Sequence, residues 1–540
     1  MSGRSVIIHG HFYQPPREDP WLGDIPVEPS AAPFHDWNER IEQECYRAVV
    51  AARVYAPDGR IAKIVNTLES ISFDFGPTLL EWLEHAAPAT YAAVLAADRV
   101  SSERHGGHGN AMAMPYHHAI LPLASRRDKV TEVRWGIADF RRRFRREPEG
   151  MWLPETAVDA ETLDVLAAEG IRFTILAPHQ VTGAQADGSP GLYRAGGGRT
   201  LALFVYDGGI SHDVAFGPLV KDGKAWVKRL TDPGKAGSPR RCVVVATDGE
   251  TYGHHHRFGE VTLAWVLEEL ASPRHSGVRV DNCAAFLARH PAEREVKLVA
   301  PSSWSCAHGV ERWRADCGCK MAPERSTQQR WRAPLRSALD WLAGEVHTRF
   351  EREGAALFSD PWAARDGYDP GNTNGRPGRA GELLELERSA LRMFTSCGWF
   401  FDDIAGLESV QVLKYAARAI ELAGDDAPRL EAGLLERLAA AESNDPAAGN
   451  GRDLYLERAA RPAVGRELLR AVSALEHDQS ARALGAVTAL VDRLEREDKS
   501  PIPFDVQTTF YRIRRAAPSQ RKAQLAPLAW RLGFAKEEGR

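Results

Sequence analysis

Glu155 ends the run Gly150-Met151-Trp152-Leu153-Pro154-Glu155, and Asp248 follows Val243-Val244-Val245-Ala246-Thr247, so each carboxylate stands directly after an apolar stretch that reads as a buried strand. A carboxylate leaving the C-terminal end of a strand is held by the sheet and faces the crevice built by the following loops, where substrates bind. Two of them from different strands suit nucleophile and acid/base work on a glycosidic bond.

Such a pair needs a frame, and the chain alternates short apolar runs with helical patterns. Strands are expected over 5–9, 61–67, 150–155, 172–176, 201–206, 242–247 and 296–300, and helices over 41–54, 78–86, 130–146, 160–169 and 261–270. That order predicts βα units around a mainly parallel sheet. Polar residues able to do chemistry follow nearly every strand (His9, His11, Glu69, Glu155, Asp207, Asp248, Ser302, Trp304), which favours a closed α/β barrel over an open sheet with one crevice. After about residue 320 the strand signal ends. The segments 326–353 and 381–423 read as helices, 369–378 as a turn-rich loop, 442–452 as a linker and 463–540 as helical again. The expected organisation is a barrel over 1–320, a helical domain over 321–440 packing on it, and a C-terminal helical domain over 453–540.

Composition bounds the partners. With 540 residues, 44% hydrophobic and 26% charged, the chain can bury a large core. A net charge of −4 gives no electrostatic case for nucleic acid or an anionic membrane. The arginine run 141–146 lies on a helix carrying Trp135, Ile137, Phe140 and Phe144, so it reads as that helix's solvated face. No stretch approaches the roughly 18 apolar residues of a membrane-spanning helix and no signal-peptide core is seen, which makes the cytoplasm the expected compartment. Seven cysteines in so long a chain read as reduced thiols.

The histidines cluster at His9/His11, His105/His108, His117/His118 and His254/His255/His256. Imidazoles serve either as hydrogen-bonding groups for sugar hydroxyls or as metal ligands, and none of these clusters has the spacing of a helical zinc site. Cys306-Ala307-His308 followed by Cys317-Gly318-Cys319 could form a Cys₃His zinc site, although Cys-x-Cys is uncommon for structural zinc. The alternative is small thiols packing a loop. No cofactor is expected for the reaction itself.

Five segments, in order, resemble the motifs of glycoside hydrolase family 57: His9-Gly10-His11-Phe12-Tyr13-Gln14-Pro15-Pro16; Gly106-Gly107-His108-Gly109-Asn110, without the usual acidic residue; Met151-Trp152-Leu153-Pro154-Glu155; Thr247-Asp248-Gly249-Glu250; and Pro301-Ser302-Ser303-Trp304-Ser305. The resemblance spans roughly residues 5 to 425 and extends to a subgroup with an additional C-terminal domain of unassigned role. It implies an incomplete (β/α)7 barrel followed by a helical region, α-glucan or maltooligosaccharide substrates, Glu155 as nucleophile and Asp248 as general acid/base of a retaining amylase, 4-α-glucanotransferase or branching enzyme. His9, His11, Gln14, His108, His118, Trp152, Asp207, Glu250, His254 and Trp304 are then the expected substrate-binding residues. Two other readings stand beside it: a metal-dependent carbohydrate hydrolase or deacetylase using the histidine clusters, and a catalytically inert glucan-binding protein.

Overall fold

The computed structural model describes residues 4–21, 23–235, 238–371, 378–460, 463–478, 480–498, 502 and 504–535. Most of the expected turn-rich loop 369–378 therefore lies outside the described residues. The strand β1 (Arg4–Phe12) is the hub of a parallel barrel, pairing on one side with β5 (Cys242–Asp248) and on the other with β2 (Ser72–Phe75). From β2 the ring continues through single bridges, Phe73 to Ala111, Ala113 to Met151 and Gly150 to Phe173, and so reaches β3 (Phe173–Leu176). β3 pairs in parallel with β4 (Thr200–Val205), and the ring closes where the Asp207 N–H donates to the Val244 carbonyl at 2.7 Å. Counting the short segments at 111–113 and 150–151, the staves make an incomplete (β/α)7 barrel.

The period of two along each stave decides what faces the barrel axis. Ile7, Met112, Met114, Trp152, Phe173, Ile175, Ala202, Phe204, Val244 and Ala246 form one buried cluster inside the barrel. The alternate residues, among them Val6, Ile8, Met151, Leu203, Val243 and Val245, pack outward against the surrounding helices. A stave buried on both faces reads as a continuous apolar run, which is why β4 and β5 are visible in the sequence.

Two expected staves are not in the barrel. Ile61–Val65 pairs antiparallel with Ala52–Tyr55 as a hairpin, with Ile61 and Ile64 more than half exposed. Glu69, just beyond it, lies at the surface beside Arg104. Within 296–300 only Lys297–Leu298 is strand, paired antiparallel with Val181–Thr182. Ser72–Phe75 takes the stave position instead; four residues long and carrying a buried aspartate, it gives little hydropathy signal. The arginine run is also less solvated than expected. Arg143 is buried against Asp139 and Glu84, and Arg146 forks onto Asp98.

Helices from Arg332–Gly354 to Ala427–Leu438 share one apolar cluster with Ile120 and Ala157 of the barrel. That cluster runs on through Ala441, Ala448, Leu454 and Tyr455, so the Asn/Asp/Pro/Gly-rich stretch 442–452 is packed against the helices rather than serving as a linker. Val464 to Leu532 form a separate core of helices. No helix of the described residues is long and apolar enough to cross a membrane.

A buried ion network ties the helices to the barrel. Arg365 Nη1 donates to Glu387 Oε2 at 2.7 Å and to Asp128 Oδ1 at 2.9 Å, and His347 Nδ1 donates to Glu387. Burial disfavours the charged form of His347, but Glu387 and Asp128 outweigh it and lift its pKa to about 10. Glu387→Gln leaves these cations buried without their main counter-charge and is expected to cost about 3–5 kcal/mol, read by denaturant unfolding. Because the folded pKa of His347 is raised, its contribution is complete below about pH 6.5 and disappears as pH rises through about 10. The gap between wild type and variant should therefore narrow as pH rises through about 10, leaving the share due to Arg365, which stays charged; an equal gap at pH 6 and pH 10 would contradict this account.

Candidate active site

Extending the inward-facing positions of each stave to its C-terminal end brings His9 and His11 of β1, Asp74 of β2, Tyr206 after β4 and Asp248 of β5 to one mouth of the barrel. Asp74 is the anchor. Fully buried, it accepts from His9 Nε2 at 3.0 Å and from His11 Nδ1 at 2.8 Å. Burial disfavours its charge, yet the two imidazoles prevail and hold its pKa below the usual value. His11 Nε2 lies 3.2 Å from His118 Nε2, whose ring stacks on Tyr13 at 3.9 Å and whose Nδ1 lies 2.6 Å from Ser396 Oγ. Burial opposes the protonation of His11, but Asp74 above all, then Asp248 and Glu155, raise its pKa. Burial, with His11 beside it, pushes His118 well down. One of the two facing Nε2 atoms donates its hydrogen to the other, which ties His11 and His118 together.

Glu155 sits where the chain leaves its stave, with φ of 57°, followed by Thr156 at 48°. Two successive non-glycine residues in the left-handed region cost about 1–3 kcal/mol each and persist only where the surroundings enforce them. The enforcing contacts are Trp304 N–H to the Glu155 carbonyl (3.0 Å) and Gln180 Nε2 to the Thr156 carbonyl (2.8 Å). The carboxylate is clamped on one oxygen: Trp304 Nε1 at 3.0 Å and Ser305 Oγ at 2.5 Å both donate to Oε2. Oε1 has no protein donor among the described residues.

Asp248 is open to the cleft while barrel walls surround it. Burial pushes its carboxyl up; His11 opposes, and Glu250, Glu155 and Asp74 add to the rise, bringing it to about 7. Glu250 is held by Gln14 Nε2 and Tyr46 OH, each at 2.7 Å, and Gln14 in turn by Arg17.

Of the expected site residues, His11, Gln14, His118, Glu155, Asp248, Glu250 and Trp304 belong to this one constellation. Trp152 and His9 do not reach the cleft. Both are fully buried, the indole stacking on the His9 and His11 rings at 4.7 and 5.3 Å, so Trp152 is the floor rather than a sugar platform. Asp207 follows the inward Tyr206 and so faces outward, where it caps the helix Gly208–Ala215 and pairs with Arg240. His108 precedes its stave and pairs with Glu149, which precedes the next, so it lies at the opposite, N-terminal end of the barrel. His254 pairs with Glu44 and packs edge-on to Trp37, to one side. The sequence reading missed Asp74, Tyr13, Tyr46, Ser305 and Ser396. Asp74 was recoverable from its place between Phe73 and Phe75; Ser396 comes from the helical region and carries no sequence signal.

Residues 105–299, which include both carboxylates, match the model of glycosyl hydrolase family 57. Over that segment the chain carries a glycosyl hydrolase family 57 domain. Residues 328–370 and 373–508 match a domain of unknown function, DUF3536. A 4-α-glucanotransferase of Thermococcus litoralis is 22% identical over 202 residues, which is 37% of this chain and 28% of the relative's length. Among solved structures, an exo-type maltose-forming amylase from Pyrococcus sp. ST04 superposes with a TM-score of 0.63 at 16% identity, covering 98% of this chain and 95% of the other. A family 57-type branching enzyme from Pyrococcus horikoshii superposes with a TM-score of 0.51 at 16% identity, covering 85% and 94%. At these identities the structural likeness shows the family 57 fold, including the helical region after the barrel.

Proposed function

We propose that this family 57 chain cleaves or transfers α-glucan chains by double displacement, with Glu155 as nucleophile and Asp248 as general acid/base. The observation that carries the reading is Asp248 itself: a cleft carboxyl with a pKa of about 7 keeps its proton near neutrality, beside a second carboxylate clamped for attack. The relatives named amylase, 4-α-glucanotransferase and branching enzyme supply the substrate class. Glu155 Oε1 attacks the anomeric carbon while Asp248 passes its proton to the glycosidic oxygen, releasing the leaving sugar and forming a glycosyl ester. Asp248, now anionic, takes a proton from water or a sugar hydroxyl, whose oxygen attacks the anomeric carbon and frees Glu155. His11, fixed by Asp74, lines this centre with His118, and Trp304 contributes an aromatic wall.

Incubation with maltooligosaccharides and amylose, followed by analysis of chain length and branch points, tests the substrate class and separates hydrolysis, transfer and branching. No change in any α-glucan would contradict the proposal. The pH profile gives a second test. Glycosylation requires protonated Asp248, so kcat/KM should fall about tenfold per unit above pH 7. The charge of Glu250 raises Asp248, so Glu250→Gln should move this basic limb to lower pH; a limb that stays or moves upward would contradict the assignment.

A further inference from the structure

The loop that clamps Glu155 continues directly into Cys306, and there the side chains converge a second time. Cys306 Sγ lies 3.9 Å from Cys317 Sγ and 3.8 Å from Cys319 Sγ, and Cys319 Sγ lies 3.6 Å from His308 Nδ1. The four ligand atoms all fall within 4.8 Å of one another. A tetrahedral zinc ion with Zn–S of about 2.3 Å and Zn–N of about 2.0–2.1 Å separates sulfur from sulfur by about 3.8 Å and sulfur from nitrogen by about 3.6 Å. The three spacings Cys306–Cys317, Cys306–Cys319 and Cys319–His308 match those edges. Gly318, at φ +81°, makes the turn that lets both thiols of the Cys-Gly-Cys segment face one point.

A second observation is independent of the cysteines. Arg312 and Arg332 are buried beside the cluster, and among the described residues neither forms an ion pair with a carboxylate. Their guanidinium groups donate to the carbonyls of Ser305, Cys319, Phe400 and Phe401. Buried cations need a counter-charge nearby. Three thiolates and a neutral imidazole around a divalent ion carry a net charge of −1, and that supplies it.

We propose that Cys306, His308, Cys317 and Cys319 bind one zinc ion through three thiolates and an imidazole. The site is separate from the carboxylate pair, with all four positions filled by protein, and its role is structural. It fixes Cys306, and thereby the adjoining Ser305 and Trp304 that hold Glu155 Oε2. This last consequence rests on the proposed role of Glu155; metal binding does not.

The full chain, purified under reducing conditions from zinc-supplemented medium, should hold about one zinc per molecule by elemental analysis. Exchange for Co²⁺ should give the intense visible bands and thiolate charge-transfer absorption of a tetrahedral S₃N site. Cys317→Ser with Cys319→Ser should abolish both signals, and circular dichroism reports whether the variant folds. Wild-type protein without stoichiometric metal, or Co²⁺ showing only weak octahedral bands, overturns the site whether or not the chain acts on glucans. Folded double variant that keeps its metal overturns the ligand assignment. For the positioning role, zinc removal from protein that stays folded should lower kcat while leaving glucan affinity in place; unchanged kcat overturns that role alone.

Discussion

Glu155→Gln is expected to lower kcat on α-glucans by about 10⁴-fold or more while leaving glucan binding within a few-fold of wild type. The amide keeps the size of the side chain, and its Oε1 can take the place of Oε2 as acceptor for Trp304 Nε1 and Ser305 Oγ. What it lacks is an oxygen that can form the glycosyl ester. Loss of binding in parallel with turnover would instead mean that the clamp had collapsed. Initial rates beside equilibrium binding to maltooligosaccharides separate the two, and near wild-type turnover would remove Glu155 from the chemistry.

Asp248→Asn is expected to behave differently. Without its acid the enzyme should lose most activity on ordinary glucans, whose leaving group must be protonated, yet keep the first step on an α-glucosyl fluoride, whose leaving group hardly needs a proton. The second step then fails, because no base remains to activate water. The glycosyl-enzyme should accumulate, and azide, which needs no deprotonation, should release it as the α-glucosyl azide and restore turnover. Equal loss on the fluoride and on glucans would contradict the assignment of Asp248 as acid/base.

What the sequence made legible follows from which physical signals are local. β4 and β5 are buried on both faces and read as unbroken apolar runs, so Asp248 could be placed at a strand end without a structure. Ile61–Val65 gave the same signal but sits in an exposed hairpin, because composition reports strand tendency and not the partner that covers it. The short staves at Ser72–Phe75 and 111–113 are held by ring closure, a non-local contact that leaves little trace in hydropathy. Strand polarity explains His108: a histidine just before a parallel stave lies at the other end of the barrel from one just after it. Alternation explains Asp207, which faces outward because Tyr206 faces in. The contact between His118 and Ser396 joins residues 278 positions apart, and nothing local announces it.

The most direct test of the central claim is the identity of the residue that carries the sugar. Asp248→Asn, incubated with an α-glucosyl fluoride, quenched in acid and digested, should yield a peptide containing Glu155 heavier by one glucosyl residue, with the ester located on that side chain by fragmentation. A glucosyl adduct on any other residue, or no adduct while wild-type enzyme releases products of inverted configuration, would contradict the assignment of Glu155 as the nucleophile of a retaining enzyme.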